Sequence, residues 1–342
     1  MEASFRQLGW RRLVMLGGLL LALLASLLLD LQAGPADLSL GQILAALWDS
    51  EQLDLRHRII LFDVRLPDAL IALAVGAALG LSGLETQTVL NNPLASPYTL
   101  GVSAFAAFGA GLAIVFMPTL PGIGHTLMLP LLALLFALLC GGLVLLFSRL
   151  TGGARESVVL FGMALFFLGT ALTSALQYVG DTEAVDQIVF WTIGDLTKAG
   201  WPEVIAVSLC FALVLPFSLR HVWVLTLLRA GEAQAQSLGL DLNRIRLWVL
   251  LRVSVLCAFA VCFVGAIGFV GLIGPHIARI LLGEDHRYLV PGAALCGALI
   301  LSLASFLSKA LLPGVIIPVG IITSLVGVPI FLALIVGQKR RV

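Results

Sequence analysis

Long apolar runs recur through the whole chain, and they constrain its fold more than any other feature. Each run can approach the roughly 20 residues that an α-helix needs to cross the hydrocarbon core of a bilayer. Only 11% of the 342 residues are charged and 60% are hydrophobic, whereas soluble domains carry roughly 25% charged residues. The sequence therefore predicts one all-α, polytopic domain over residues 1–342, surrounded by membrane lipid.

The charged residues sort onto two sides when the chain is threaded through ten spans. The side that holds both termini carries fifteen of the 20 lysines and arginines, and the opposite side carries twelve of the 19 acids. Because cytoplasmic loops are enriched in lysine and arginine, both termini are predicted to be cytoplasmic. The predicted spans cover about residues 11–30, 59–85, 97–116, 126–148, 157–178, 201–220, 246–264, 267–281, 289–311 and 318–337.

The sequence contains no group of residues typical of an enzyme. It has no glycine-rich phosphate loop with Lys and Ser or Thr, so the chain is not expected to bind ATP by itself. The five cysteines lie within apolar spans, where they are interpreted as small packing residues rather than metal ligands. No basic block indicates nucleic acid. Ion-coupled transporters need ionisable residues within their spans, and the nearest cases are Glu85 and Arg252.

Two short amphipathic segments are predicted on the outer side of the membrane. Asp37 or Ser39 can cap a helix from Leu40 to Trp48 whose apolar residues recur with helical spacing. The segment from Gly180 to Lys198 is similar in kind. Both segments are expected to lie in the interface and to cover the extracytoplasmic mouth.

Glycine and proline concentrate in two stretches, each of which reads as a glycine-rich span followed by a proline-containing turn. The spacing Gly76-x-x-x-Gly80 allows two helix backbones to approach closely, so tight packing is one interpretation. The other is a broken helix that lines a pathway, as in many transporters. On that second interpretation the candidate pathway or gate residues are Gly76, Gly80, Gly83, Asn92, Pro93, Leu94, Pro97, Gly268, Gly271 and Pro275.

The longest polar segment on the cytoplasmic side runs over residues 229–243. Its small and helix-favouring residues predict a short helix that Gly239 ends, and Asp241 can cap the next span. Such a helix is either part of an ordinary loop or an element that fits a groove on a partner protein.

Several longer motifs occur in a fixed order over about residues 38–336. They include Arg65-Leu66-Pro67, Asn92-Pro93-Leu94-Ala95-Ser96-Pro97, Ser237-Leu238-Gly239, Pro275-His276-Ile277-Ala278-Arg279 and Gly327-Val328-Pro329. With these motifs the sequence resembles the FecCD-type permeases of ABC importers for iron-siderophores, haem and vitamin B12.

The resemblance implies a ten-span subunit with type II ABC importer permease architecture in the bacterial inner membrane. It would work with a second permease subunit, as a homodimer or a heterodimer, with two ATPase subunits and with a periplasmic substrate-binding protein. ATP and Mg²⁺ would bind the ATPase, leaving this chain without a cofactor. The implied cargo is an iron-siderophore-type chelate, with haem or cobalamin as alternatives. An ion-coupled secondary transporter that acts alone remains a rival of a different class.

The resemblance also implies roles for individual residues. Asn92 and Leu94 would narrow the cytoplasmic end of the pathway. The chain departs from the family at Asp68, where a second Arg is usual, at Ser305, where an Asp is usual, and at Ile317, where an acid is preferred. Arg65 would dock the binding protein, with Lys309 at the position of a family Arg. Arg56 and Arg58 are expected to compensate for the reversed charge at Asp68; alternatively, a different permease partner supplies the missing docking charges. The residues expected to form the ATPase-coupling helix are Glu232, Ala233, Gln234, Ser237, Leu238 and Gly239.

Overall fold

The computed structural model describes residues 2–34, 36, 38–49, 51, 53–116, 125–312 and 314–339. Within these ranges the regular structure is entirely helical. A π-helical segment, Ile60–Arg65, joins α3 to α4. The helices are α1 (Glu2–Gln32), α2 (Leu40–Trp48), α3 (Leu55–Ile59), α4 (Leu66–Val89), α5 (Val102–Phe116), α6 (His125–Leu150), α7 (Arg155–Val179), α8 (Thr182–Ile193), α9 (Trp201–Arg220), α10 (Val222–Ala230), α11 (Glu232–Ser237), α12 (Leu242–Val264), α13 (Val270–Leu282), α14 (His286–Ala310) and α15 (Val319–Lys339).

The predicted all-α polytopic architecture is confirmed. Among the described residues, six helices are long and apolar enough to cross a membrane: α1, α6, α7, α9, α12 and α14. Three shorter apolar helices, α5, α13 and the described apolar part of α15, lie where spans are predicted. Helix α4 occupies the predicted span 59–85 and is buried along most of its length. Residues 90–101 are not helical, so the third predicted span begins later than expected.

Helix α4 forms the centre of the bundle because its glycines admit neighbouring backbones. A Cβ atom added to Gly76 would lie 2.5 Å from the carbonyl oxygen of Gly297 in α14. One added to Gly80 would meet the carbonyl of Ala293, and one added to Gly83 would meet that of Gly271 in α13. These contacts support the packing interpretation of the glycine spacing.

The chain is broken between α12 and α13, as the glycine spacing predicts. Gly265 has φ 78° and Phe269 has φ 66°, a left-handed conformation that costs a non-glycine residue roughly 1–2 kcal/mol. Segment 191–195 packs across the break, where the Asp195 backbone N–H donates to the Val264 carbonyl at 2.8 Å. The same segment holds the start of α15, because the Gly320 N–H donates to the Gly194 carbonyl at 3.3 Å.

Helices α2 and α8 match the two predicted interfacial segments. Ser39 caps α2 and forms a capping box with Gln42, whereas Asp37 lies outside the described residues. Asp181 caps α8 by accepting a hydrogen bond from the Ala184 N–H at 2.8 Å.

Glu85 and Arg252 form an ion pair between α4 and α12. The guanidinium donates to the two carboxylate oxygens of Glu85 at 2.9 and 3.3 Å, and both residues are buried. Each charge therefore has its partner inside the bundle, and the pair joins α4 to α12 without leaving either charge uncompensated.

Candidate functional site

The cytoplasmic segment 229–243 folds as the sequence predicts, into a short helix between two glycines. Gly231 (φ 150°) precedes α11 and Gly239 (φ 79°) follows it, and Asp241 caps α12 by accepting from the Arg244 N–H. Ala235 is buried and holds α11 against the bundle. Leu238 is 65% exposed. The other exposed residues of this outer surface are Ala233, Gln234, Gln236, Ser237 and Gly239.

Glu232 lies on the inner side of α11 instead of its outer surface. Its carboxylate forms ion pairs with Arg155 at the start of α7 and with Arg246 in α12. The Arg246 side chain is only 7% exposed and also donates to the Gly153 carbonyl at 2.7 Å. We call this arrangement the Glu232 clamp; it joins α11 to α7 and α12.

Residues 90–101, the gate loop, connect α4 to α5 without helical structure. Asn91 has φ 45°, and the Asn92 side chain accepts from the Leu94 N–H at 2.9 Å. Ser96 and Thr99 hydrogen-bond each other through side chain and backbone. The loop therefore holds a defined shape through its own polar contacts.

Arg229, at the end of α10, contacts the gate loop directly. Its guanidinium donates to the Asn91 side-chain oxygen at 2.8 Å and pairs with Glu284 at 3.4 Å. Glu284 also pairs with Arg279 of α13 at 3.2 Å, and Arg279 donates to the Gln87 side chain of α4. These contacts link segment 229–243 to the C-terminal end of α4 and to the loop that follows it.

A second, buried connection runs parallel to the first. The His286 ring in α14 hydrogen-bonds the Thr88 hydroxyl of α4 at 3.0 Å and the Thr226 hydroxyl of α10 at 3.2 Å. Next to it, Asp285 caps α14 and accepts hydrogen bonds from Arg287, which hold the pKa of the Asp285 carboxyl below its ordinary value. Sequence reasoning missed these networks, since polar residues at span ends are ordinary.

Two adjoining central clefts open beside the gate loop and the α12–α13 break. Their volumes are about 540 and 270 Å³, and Tyr98, Thr192 and Ala266 line both. Among the described residues that line them, none is charged. Their polar lining consists of Ser96, Tyr98, Thr99, Ser103, Thr170, Thr173, Ser174, Gln177, Thr192 and Ser324.

A further cleft of about 510 Å³, the cytoplasmic cleft, is lined by Asn91, Asn92, Arg155 and Glu156, among others. The gate loop thus lines the cytoplasmic cleft with its first residues and a central cleft with Ser96, Tyr98 and Thr99. Pro93 and Leu94 lie on the stretch between the two, whereas Pro97 lies between Ser96 and Tyr98 of the central-cleft lining.

The candidate pathway residues divide into two groups in the structure. Gly268 lines a central cleft. Gly271 packs against the Leu79 carbonyl, and Pro275 is buried inside α13. We therefore assign these two, together with Gly76, Gly80 and Gly83, to helix packing rather than to the cleft lining.

The expectation that Arg65 lies on a docking surface is wrong. Arg65 is 4% exposed, and its guanidinium donates to the carbonyls of Leu31 at 2.9 Å and Gln32 at 3.3 Å. These are carbonyls at the C-terminal end of α1, which lack partners within their own helix. Arg65 therefore ties α1 to α4 and is not available to a protein that binds from outside.

Lys309 is likewise inside the protein, and its docking assignment is also wrong. Its side chain is 7% exposed, with the ammonium 3.0 Å from Asp30 of α1 and 3.9 Å from Asp68 of α4. Asp68 and Lys309 thus attract each other within one cluster. Asp30 is the nearer of these two acids to the Lys309 ammonium. Arg56 and Arg58, by contrast, are exposed, so their docking role stays a prediction.

Comparison with known proteins gives a consistent set of relatives. A model of the FecCD transport family matches residues 20–337. The hemin transport system permease protein HmuU of Yersinia pestis is 36% identical, over 94% of this chain and 97% of its own length. The molybdate import system permease protein MolB of Haemophilus influenzae is 36% identical, over 94% and 95%. A solved inward-facing conformation of a metal-chelate type ABC transporter matches with a TM-score of 0.83 and 34% identity, over 94% of this chain and 99% of that chain.

Proposed function

Because the chain belongs to the FecCD transport family and is a multi-pass permease of an ABC importer, we propose that it carries an iron-siderophore-type chelate from periplasm to cytoplasm. The proposal places it in the bacterial inner membrane. As an ABC permease it is a transport component and not an enzyme, and membership of this family sets aside a secondary transporter that acts alone.

The described residues that line the central clefts carry no charge, and this observation carries the proposed cargo. The relatives transport different molecules, since one is a hemin permease and another a molybdate permease. A small oxyanion in a low-dielectric pathway calls for cationic or N–H donors around it. In a chelate, organic ligands surround the metal ion and shield its charge. Hydroxyl and amide side chains, such as those of Thr170, Ser174 and Gln177, suit the weak and exchangeable contacts that such a cargo needs.

The energy source is proposed to be a pair of ATPase subunits that hold ATP and Mg²⁺. Helix α11 and the residues that follow it offer them a small surface with one large exposed apolar side chain, Leu238. A leucine that enters a groove on a partner gains roughly 1.5–3 kcal/mol from burial. This is the arrangement expected of a coupling helix, and a second permease subunit would complete the pathway on the open side of the central clefts.

The Glu232 clamp provides a route for motion from α11 to the pathway. Arg155 begins α7, and Thr170 of the same helix lines a central cleft. The intervening fifteen residues of continuous helix form a lever about 22 Å long, at 1.5 Å per residue. A displacement of α11 by the ATPase would therefore move the cleft wall, while Arg229 would transmit the same displacement to the gate loop.

On the outer side, the exposed guanidinium groups of Arg56 and Arg58 in α3 are proposed to meet acidic residues of the binding protein. Exposed pairs of this kind mainly steer association and orient the complex. Arg65 and Lys309 would support that surface only indirectly, through the packing of α1, α4 and α14.

The proposal is tested with the assembled importer in nanodiscs, including its ATPase and binding protein. ATP turnover is measured with a ferric siderophore, haem, cobalamin and molybdate in turn, each preloaded on the binding protein. We expect the ferric siderophore to stimulate turnover most. Stimulation by molybdate alone would refute the cargo assignment while leaving the importer assignment intact.

A further inference from the structure

A groove separate from the transport clefts runs along the outside of the bundle between α6 and α12. Its volume is about 720 Å³. Its wall is apolar over most of its length, with Leu145, Leu146 and Leu251 among the lining residues. At its cytoplasmic end it is lined by Arg149, near the end of α6, and by Arg244, near the start of α12.

Arg149 and Arg244 differ in their ion pairing from four other arginines near segment 229–243. Within the part of the chain that the structure describes, Arg155, Arg229, Arg246 and Arg279 all pair with carboxylates, whereas neither Arg149 nor Arg244 has such a partner. The one acid in the lining, Asp241, is engaged at the cap of α12, where it accepts from the Arg244 backbone N–H at 3.1 Å. The described lining at this end of the groove thus holds two arginines and one carboxylate, and its net charge is positive.

We propose that this groove binds an anionic phospholipid of the cytoplasmic leaflet, with its phosphate between Arg149 and Arg244 and an acyl chain along the apolar wall. Arginine recognises phosphate through several directed N–H donors. Trp248 lines the groove between the charged and apolar parts, at the level where tryptophan favours the membrane interface.

The length and direction of the groove favour a lipid over a soluble partner protein. From Arg149 to Gly142 on α6, and from Arg244 to Leu251 on α12, the lining extends seven residues along each helix, or about 10 Å. That distance leads from the cytoplasmic helix ends into the apolar part of both spans, where an acyl chain reaches and a soluble domain does not. The site also lies directly after α11 in the chain. A bound lipid would therefore contact the start of α12, which the Glu232 clamp joins to α11.

Native mass spectrometry of the full chain in detergent tests the site, with dioleoylphosphatidylglycerol and dioleoylphosphatidylcholine as probes. We expect preferential retention of phosphatidylglycerol. The double variant R149Q/R244Q should weaken its binding about thirtyfold, or about fivefold per arginine, which corresponds to ~1 kcal/mol for each basic residue. Binding of phosphatidylcholine, which has the same phosphate but no net charge, should weaken less than that of phosphatidylglycerol. The control R220Q removes an exposed cation from the end of α9 and should leave both affinities as they are.

A second variant tests the acyl part of the site independently. A Cβ atom at Gly142 meets no heavy atom within 4 Å, so Gly142→Leu fills the groove without disturbing the bundle and should lower retention of both lipids. Gly17→Leu on α1, which is equally unobstructed, serves as the matched control.

Three results would overturn the lipid proposal. The double variant could retain phosphatidylglycerol as wild type does. Inorganic phosphate could displace the lipid while Gly142→Leu has no effect, which would show a site for free phosphate. The double variant could also bind both lipids normally but fail to hold the ATPase, which would assign the arginines to that partner.

Discussion

Replacing Glu232 with glutamine should loosen α11 without changing the shape of its side chain. The variant leaves Arg155 and Arg246 close together without a carboxylate, and the Arg246 side chain is 7% exposed whereas that of Glu232 is 34% exposed. A hydrogen-bonded charge pair is worth about 1.5–3 kcal/mol, and the partial exposure of Glu232 favours the lower half of that range. We therefore expect local opening of α11 to become roughly tenfold to fiftyfold more frequent.

Hydrogen–deuterium exchange of the purified chain measures that opening directly. The reporters are the amides of Ala235, Gly239 and Leu240, which donate to the carbonyls of Gly231, Gln236 and Ala235 at 3.1, 2.9 and 3.3 Å. Their exchange should accelerate in Glu232→Gln, and ATP turnover should lose its dependence on cargo.

Glu183→Gln is the matched control, because Glu183 accepts a hydrogen bond from Gln187 within α8, far from the clamp. Exchange in Glu183→Gln should equal that of wild type. If Glu232→Gln uncouples ATP turnover while exchange in α11 is unchanged, Glu232 acts by touching the ATPase and the clamp reasoning is refuted.

Three further predictions concern the docking surface and the buried charges. Leu238→Asp should weaken co-purification of the ATPase at least roughly tenfold without changing the free energy of unfolding. Leu238→Met should leave co-purification unchanged. Normal co-purification of the Asp variant would contradict the proposal that Leu238 lies on the docking surface. Glu85→Gln should lower the free energy of unfolding by about 3–5 kcal/mol, because Arg252 loses its buried partner. The double variant Glu85→Leu/Arg252→Met should have nearly the free energy of unfolding of wild type. Equal losses in the two variants would refute the role of the ion pair. Asp30→Ser should lower the thermal unfolding temperature. Adding Ser305→Asp should restore part of that loss, because Lys309 regains a carboxylate. A double variant less stable than Asp30→Ser would show that an acid at position 305 cannot replace Asp30.

The helices and the coupling segment could be predicted from local sequence features. Apolar length located the spans, and Gly239 with Asp241 located the end of α11 and the start of α12, because caps act on residues only a few positions away. The break after α12 followed from glycine spacing alone. Each of these signals is contained within one helix or turn.

The errors arose where a side chain's partner is distant in sequence. The docking roles of Arg65 and Lys309 rest on the resemblance to the permease family, which carries a role to a position without showing whether the side chain is exposed there. Their partners, the carbonyls that end α1 and the carboxylate of Asp30, come together only in the folded bundle. The orientation of Glu232 was missed for the same reason, since no local pattern shows that Arg155 and Arg246 lie behind it.

Uptake into proteoliposomes tests the central claim most directly. The full importer is reconstituted, the binding protein is loaded with radiolabelled ferric siderophore, and ATP is enclosed on the cytoplasmic side. We predict accumulation that requires both ATP and the binding protein and that falls in Leu238→Asp. Accumulation driven by a proton or sodium gradient without ATP would contradict the account.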